Sequence, residues 1–346
     1  MVVLTTDPAR PSPEVIKKAV EVLKNGGIVA APTETVYGLF ADAKNDEACK
    51  KIFKAKGRPV DNPLIVHVDS IEMAKALAEI PPRVEEVLDK VWPGPVTIVV
   101  KSKSVVSPFV TAGLPTVAIR SPAHPVTLAM IRAFGGPLAG PSANKAGRPS
   151  PTEASHVVED LGKEVDLVID AGPVFFGVES TIIDVTRDPP ILLRPGPFTV
   201  EELEKYFGKV VVSPTARGVA EAETAIAPGM KYRHYSPDTP LFLIYFDLEE
   251  AVRYLKRHGL KVAVLCAVGV CASGDYVIDM GSDLYEVAKN LYKSLRELDK
   301  LNVDVGVVPA LEERGVGLAL MNRLRKASGH REVFNTSDFT KYGLGL

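Results

Sequence analysis

A two-part α/β fold is what this sequence predicts, and three observations predict it. Its 346 residues exceed what one hydrophobic core normally serves. Short apolar runs of strand length alternate with amphipathic stretches up to about residue 210 and again from 239 to 346, the pattern of sheets layered with helices. Between them, residues 211–238 lose periodicity and carry Pro214, Pro228 and Pro237. The first part, dense in Pro and Gly, reads as a mixed sheet with helices. The smaller second part reads as a parallel sheet covered on both faces. The expected division is 1–210, a linker over 211–238, and 239–346.

The elements follow in order. Residues 13–25 predict a helix, with Ser12 as N-cap, Pro13 at its first position and Gly26-Gly27 closing it. Residues 28–31 are a buried strand, 45–56 an amphipathic helix and 63–68 a strand. Helices over 71–79 and 82–91 lead to the rigid turn Trp92-Pro93-Gly94-Pro95 and a strand over 96–100. A short strand over 117–120 ends on Arg120, and a helix over 125–134 follows. Another helix over 152–161, strands at 167–170 and 181–184, and a helix from about Val200 to Phe207 complete the first part. In the second, strands are expected at 241–246, 261–268, 276–280 and 303–308, with helices at 249–258, 284–301 and 317–327. No G-x-G-x-x-G or Walker A pattern opens these helices, so no nucleotide is assigned there.

Bulk properties narrow the function classes. A formal charge of -2 and a pI near 6.3 exclude a polybasic nucleic-acid wrapper, while leaving room for a local basic cleft. Cys49, Cys266 and Cys271 show no metal-ligand spacing, and so few cysteines in odd number suggest a reducing compartment. The N-terminus lacks the charged head and apolar run of a signal peptide, and no apolar stretch is long enough for a bilayer, so a cytoplasmic protein is expected. The sequence has no glutamine and 28 prolines, which fits heat adaptation.

Two polar clusters look suited to one anion. The first runs Lys54-Ala55-Lys56-Gly57-Arg58-Pro59 and then Asp61-Asn62-Pro63. If the segment is extended, Lys54, Lys56 and Arg58 share a face. A solvated helix end is the plainer reading, but Gly57 and Pro59 fix the backbone around Arg58. The second cluster is Gly140-Pro141-Ser142-Ala143-Asn144, followed by Lys145, Arg148 and Ser150. It is a turn by composition and a phosphate cradle by its hydroxyl and backbone donors. The run Pro32-Thr33-Glu34-Thr35-Val36-Tyr37-Gly38 offers either a helix cap box or hydrogen bonds to a small polar substrate. His67, alone in its strand, reads first as a satisfied core residue. Arg120 ends an apolar strand and needs a partner, for which a substrate carboxylate is plausible.

In this order, Pro32–Leu39, Lys56-Gly57-Arg58-Pro59, Asn62-Pro63-Leu64, Trp92-Pro93-Gly94-Pro95-Val96-Thr97 and Pro141-Ser142-Ala143-Asn144 resemble the ordered motifs of the YrdC-like family. The stretches 228–237 and 317–324 resemble its longer, two-domain Sua-type members. The resemblance implies a YrdC-like catalytic domain with a Rossmann-like C-terminal domain. It also implies a reaction in which L-threonine, bicarbonate and ATP give threonylcarbamoyl-AMP and pyrophosphate, the first step of a tRNA adenosine modification. It places the catalytic group on Lys56, Arg58, Ser142 and Asn144. It places nucleotide contacts on Arg58, Asn62, Thr116, Ser142, Ser150, Arg194 and Tyr235, and threonine contacts on Thr35, His67, Arg120 and Ser180. Mg2+ would accompany ATP, with few protein ligands. A KEOPS-type tRNA threonylcarbamoyl transferase is the implied downstream partner, and direct tRNA binding is possible. Lys231 to Tyr235 would close over the nucleotide as a lid or else pack as a spacer. The alternative readings are an RNA-binding module of the same fold without catalysis, and carbamoyl transfer in hydrogenase maturation, whose usual extra modules are missing from the sequence.

Overall fold

The computed structural model describes residues 1–344. The chain divides into two compact units. The first comprises residues 1–146, 150–216 and 220–232, and the second comprises 147–149, 217–219 and the chain from 233 onward.

The first unit is built on one twelve-stranded mixed sheet. Its strands are β1 (Val2–Thr5), β2 (Val29–Pro32), β3 (Tyr37–Asp42), β4 (Ile65–His67), β5 (Ala78–Glu79), β6 (Val96–Ser102), β7 (Thr116–Arg120), β8 (Leu138–Ala139), β9 (Leu167–Asp170), β10 (Thr181–Asp184), β11 (Ile191–Arg194) and β12 (Val211–Val212). The order is β1-β9-β2-β3-β8-β4-β7-β6-β10-β11-β12, with β5 on β6. Its helices are α1 (Pro13–Lys24), α2 (Asp46–Lys56), α3 (Ile71–Leu77), α4 (Pro82–Val91), α5 (Pro108–Thr111), α6 (Pro125–Phe134), α7 (Ala154–Leu161) and α8 (Val200–Phe207). A short α9 (Pro214–Arg217) follows.

Helix α1 buries Val15, Ile16, Ala19, Val20 and Leu23, the three-and-four spacing of one face, against Met130 and Ile131 of α6 and Leu167 and Ile169 of β9. In α2 the Asn45 side chain accepts from the Ala48 N–H, and Gly57 closes the helix at φ 63°. That helix corrects one expectation. Lys54 and Lys56 lie on its last turn instead of in an extended segment, so their side chains diverge: Lys54 is exposed and Lys56 is 2% exposed. The helix expected over 71–79 stops at Leu77, because Ala78–Glu79 turns extended and pairs with β6. The strand expected over 63–68 shortens to Ile65–His67, the Leu64 N–H going instead to the Val110 carbonyl.

The stretch expected as linker is partly core. Ala225, Ala227 and Met230 pack in one cluster with Ile65, Val99, Ala118, Ile182 and Leu193 of the sheet. A chain that buries these side chains is held by the same apolar force as the strands beneath it.

The second unit is a five-stranded all-parallel sheet in the order β15-β14-β16-β13-β17, from β13 (Leu241–Ile244), β14 (Val262–Cys266), β15 (Tyr276–Asp279), β16 (Val305–Pro309) and β17 (Glu332–Val333). Helices α10 (Leu248–Arg257), α11 (Leu284–Leu298) and α12 (Val316–Ala327) connect them, and a 3-10 helix spans Thr336–Tyr342. The sequence alone pairs no cysteines. Cys266 and Cys271 form a disulfide across the loop after β14, where Ala267 and Val270 pair and bring the two Cα atoms to 4.6 Å. Cys49 is buried and free, its thiol pushed up to about 12 by burial. Among the described residues no helix is long and apolar enough to cross a membrane.

Candidate active site

The site grows from one face of the central strands. β4 and β7 run parallel, with Ile65 beside Ala118 and His67 beside Arg120. β6 and β7 run antiparallel, with Val99 beside Ala118, which sets Thr97 opposite Arg120. Side chains alternate along a strand, so Thr97, Arg120 and His67 form one row, and Val99, Ala118 and Ile65 form the next row on the same face. The second row is the one that Ala225, Ala227 and Met230 cover.

Around the first row the four residues assigned to threonine come together. Arg120 is 3% exposed, and its Nη1 donates to the Thr35 hydroxyl at 3.1 Å. The Thr97 and Ser180 hydroxyls lie 2.8 Å apart, and Arg194 donates to the Ser180 hydroxyl at 3.2 Å and to its carbonyl at 3.0 Å. His67 is buried edge-on to Phe40, and among the described residues its Nδ1 has no hydrogen-bond partner. It is therefore not the satisfied core histidine that a lone strand position suggested. Desolvation, followed by the Arg120 charge, pushes its pKa down to about 3. Arg120 already has an internal counter-ion in the buried Glu34, to which Nη2 donates. The Pro32–Gly38 run is not a helix cap box, since β3 follows it. The Thr33 hydroxyl instead ties the turn, accepting from the Thr35 and Val36 N–H groups at 3.1 and 3.2 Å.

The two polar clusters meet beside β3. The Lys56 ammonium donates to the Ser142 carbonyl across 86 residues of sequence, and the Ala146 N–H donates to the Lys56 carbonyl at 2.9 Å. Ser142 itself pairs with Gly38, and the Ala143 N–H donates to the Tyr37 carbonyl at 2.9 Å. Arg58 reaches forward, Nη2 donating to the Pro63 carbonyl at 2.7 Å and to the Asn62 carbonyl at 3.3 Å. Asn144 is buried, its amide donating to the Lys145 carbonyl at 2.9 Å. Burial, and then the Arg58 charge, holds the Lys56 ammonium well below the usual lysine range. A desolvated cation beside a second cation is a place where an anion is strongly favoured.

The remaining assignments fall in different places. Ser150 is buried and donates to the Glu179 carboxylate, one residue before Ser180, so it joins the threonine group to the second cluster. Thr116 opens β7, at the opposite end from Arg120 and on the side where Asn62 and Pro63 enter β4. Asn62 is 2% exposed, and among the described residues its Oδ1 has no partner. Tyr235 belongs to the second unit, where its ring stacks on Tyr292 at 5.5 Å and faces Arg323 at 5.6 Å. From the 211–238 stretch, the Tyr232 hydroxyl donates to the Asp61 carboxylate at 2.5 Å and Lys231 pairs with it at 3.1 Å, next to Asn62. Sequence reasoning missed Glu34, Thr97 and Glu179 as members of this network. Glu34 and Thr97 lie inside quoted motifs, but nothing in the sequence says which buried cation or hydroxyl they would meet.

The chain matches the Sua5_yciO_yrdC family, described as telomere recombination, over residues 21–196, and the threonylcarbamoyl-AMP synthase C-terminal domain over residues 198–329. It is 46% identical over 330 residues to a threonylcarbamoyl-AMP synthase of Pyrococcus abyssi, covering 92% of this chain and 95% of the relative. It is 44% identical over 329 residues to the Bacillus subtilis threonylcarbamoyl-AMP synthase, covering 92% and 94%. The crystal structure of P. abyssi Sua5 complexed with L-threonine superposes with a TM-score of 0.92 at 43% identity, covering 97% of this chain and all of that one.

The buried His67 carries a pH signature. Its folded pKa of about 3 lies below the ordinary 6.5, so between those values the unfolded chain binds a proton that the folded one refuses. Stability therefore rises with pH through that window and is flat with respect to this group above it. Unfolding by urea at pH 4.5 and 7 should show wild type losing about 2–3 kcal/mol more on acidification than His67→Asn. Equal losses would contradict the burial of a neutral imidazole.

Proposed function

This chain belongs to the Sua5–YciO–YrdC family and is an AMP-transferring enzyme that makes threonylcarbamoyl-AMP, and we propose that it does so from L-threonine, bicarbonate and ATP with release of pyrophosphate. The observation that supports the reading is the meeting of Lys56 with Ser142, a cation on a turn of hydroxyl, amide and backbone donors, with the Arg58 charge acting on the same ammonium. That is the chemistry a polyphosphate needs.

The threonine nitrogen forms a bond to the bicarbonate carbon with loss of water, giving a carbamate. A carbamate oxygen then attacks the α-phosphorus as the bond to the bridging oxygen breaks and pyrophosphate leaves. Such a transfer asks the protein for positioning and charge neutralisation. Arg120 receives the threonine carboxylate, and Thr35, His67 and Ser180 surround its side chain and amine. A site that hydrogen-bonds the substrate hydroxyl rejects valine, which lacks it. Lys56 and Arg58 neutralise the triphosphate and the departing pyrophosphate. Ser142 and Asn144 orient its oxygens, and Asn62, Thr116, Ser150 and Arg194 hold the rest of the nucleotide. Among the described residues no group of three or more His, Cys, Asp or Glu could hold a metal ion. Mg2+ would instead be carried in on the phosphates and waters, where it would share their charge. The adenylate would pass, in the cytoplasm, to a KEOPS-type transferase acting on tRNA.

The segment ending at Tyr232 acts as a lid. It is supported by the Asp61 contacts beside Asn62 and by the packing of Ala225, Ala227 and Met230 on the site's own sheet face. A closed site excludes water from a labile mixed anhydride.

Two measurements test this. Pyrophosphate release from radiolabelled ATP should require both threonine and bicarbonate and no tRNA, and Arg58→Ala should lower it on the order of 10² to 10³. Turnover near wild type would remove Arg58 from its role. Asp61→Ala, which unties Lys231 and Tyr232, should hasten hydrolysis of the product before transfer; unchanged hydrolysis and unchanged ATP affinity would contradict the lid.

A further inference from the structure

We propose that Glu34 is a positioning residue for the threonine end of the site, holding the Arg120 guanidinium in the orientation that receives the substrate carboxylate. The inference rests on the assignment of Arg120 to threonine made above. Arg120 carries five N–H groups, and three of them are spent inside the protein on three separate groups. Nε donates to the Gly94 carbonyl at 3.3 Å, Nη1 to the Thr35 hydroxyl at 3.1 Å and Nη2 to Glu34. Among the described residues, one N–H is left on each terminal nitrogen, donors that a substrate carboxylate can take.

Glu34 is itself held. Its second oxygen accepts from the Ala123 N–H at 2.9 Å, its carbonyl accepts from the Phe176 N–H at 2.9 Å, and its side chain is 8% exposed. One carboxylate thus ties the Pro32–Gly38 turn to the end of β7 and to the loop that follows it. Only a group with two acceptor oxygens can satisfy both donors. A glutamine must turn its own N–H2 toward either Arg120 or Ala123, and an aspartate stops one methylene short. Glu34 touches no reacting atom in this reading and acts through the orientation of Arg120.

The test is a double-mutant cycle read by calorimetric binding of L-threonine and, separately, of ATP. Glu34→Gln should weaken threonine about tenfold to a hundredfold while ATP affinity stays within about twofold. Glu34→Asp, which keeps the charge, should weaken threonine in the same sense. In an Arg120→Met background, adding Glu34→Gln should change threonine affinity by no more than about twofold, because the group it positions is gone. That double variant also removes both charges of the buried pair, so neither is stranded. Threonine affinity unchanged in Glu34→Gln, threonine and ATP weakened in step, or an undiminished effect in the Arg120→Met background would each overturn the proposal. Threonine-dependent pyrophosphate release by wild type checks the underlying reaction independently of all three.

Discussion

A buried lysine donating to a backbone carbonyl holds the catalytic unit's chemistry in one place. Lys56 ends α2 and Ser142 follows β8, and no contact between these segments is local in sequence. An ammonium removed from water must find an acceptor, and this one finds a carbonyl that also anchors the donor-rich turn. The Arg58 charge lowers the Lys56 pKa further.

Arg120 and His67 sit at the C-terminal ends of β7 and β4, whereas Thr116, Asn62 and Pro63 lie at their starts. Four residues of strand span about 13 Å. The covered row between them, Val99, Ala118 and Ile65 beneath Ala225, Ala227 and Met230, is apolar on both sides. The polar groups at its margin are linked to each other, through Arg194 to Ser180 and Thr97 and through Arg120 to Glu34 and Thr35, and so hold fixed positions.

Much of this was legible in the sequence where local rules decide. α4, α6 and α8 begin at a proline or a capping threonine and end where aromatic or glycine residues break the pattern, and their bounds follow from those signals. Short edge elements were not legible. β1, β5 and β12 have two to four residues, and they exist only because a neighbouring strand offers an open ladder. The same limit governs the site. Motifs named the residue types, but the Lys54-Lys56-Arg58 alternation suggested one shared face, whereas the helix turned Lys54 outward. The partner of Arg120 also lay beyond sequence reasoning, since Glu34 is 86 residues away and reaches it only after β7 folds against the turn. The disulfide between Cys266 and Cys271 escaped for a similar reason, because their spacing says nothing until the loop closes.

The most direct measurement is a crystal structure of the protein with L-threonine and a non-hydrolysable ATP analogue. Phosphate oxygens should lie within about 3.5 Å of both the Arg58 guanidinium and the Ser142–Asn144 turn, with the threonine carboxylate on Arg120. A triphosphate bound elsewhere, touching neither Arg58 nor Ser142, would contradict the cradle.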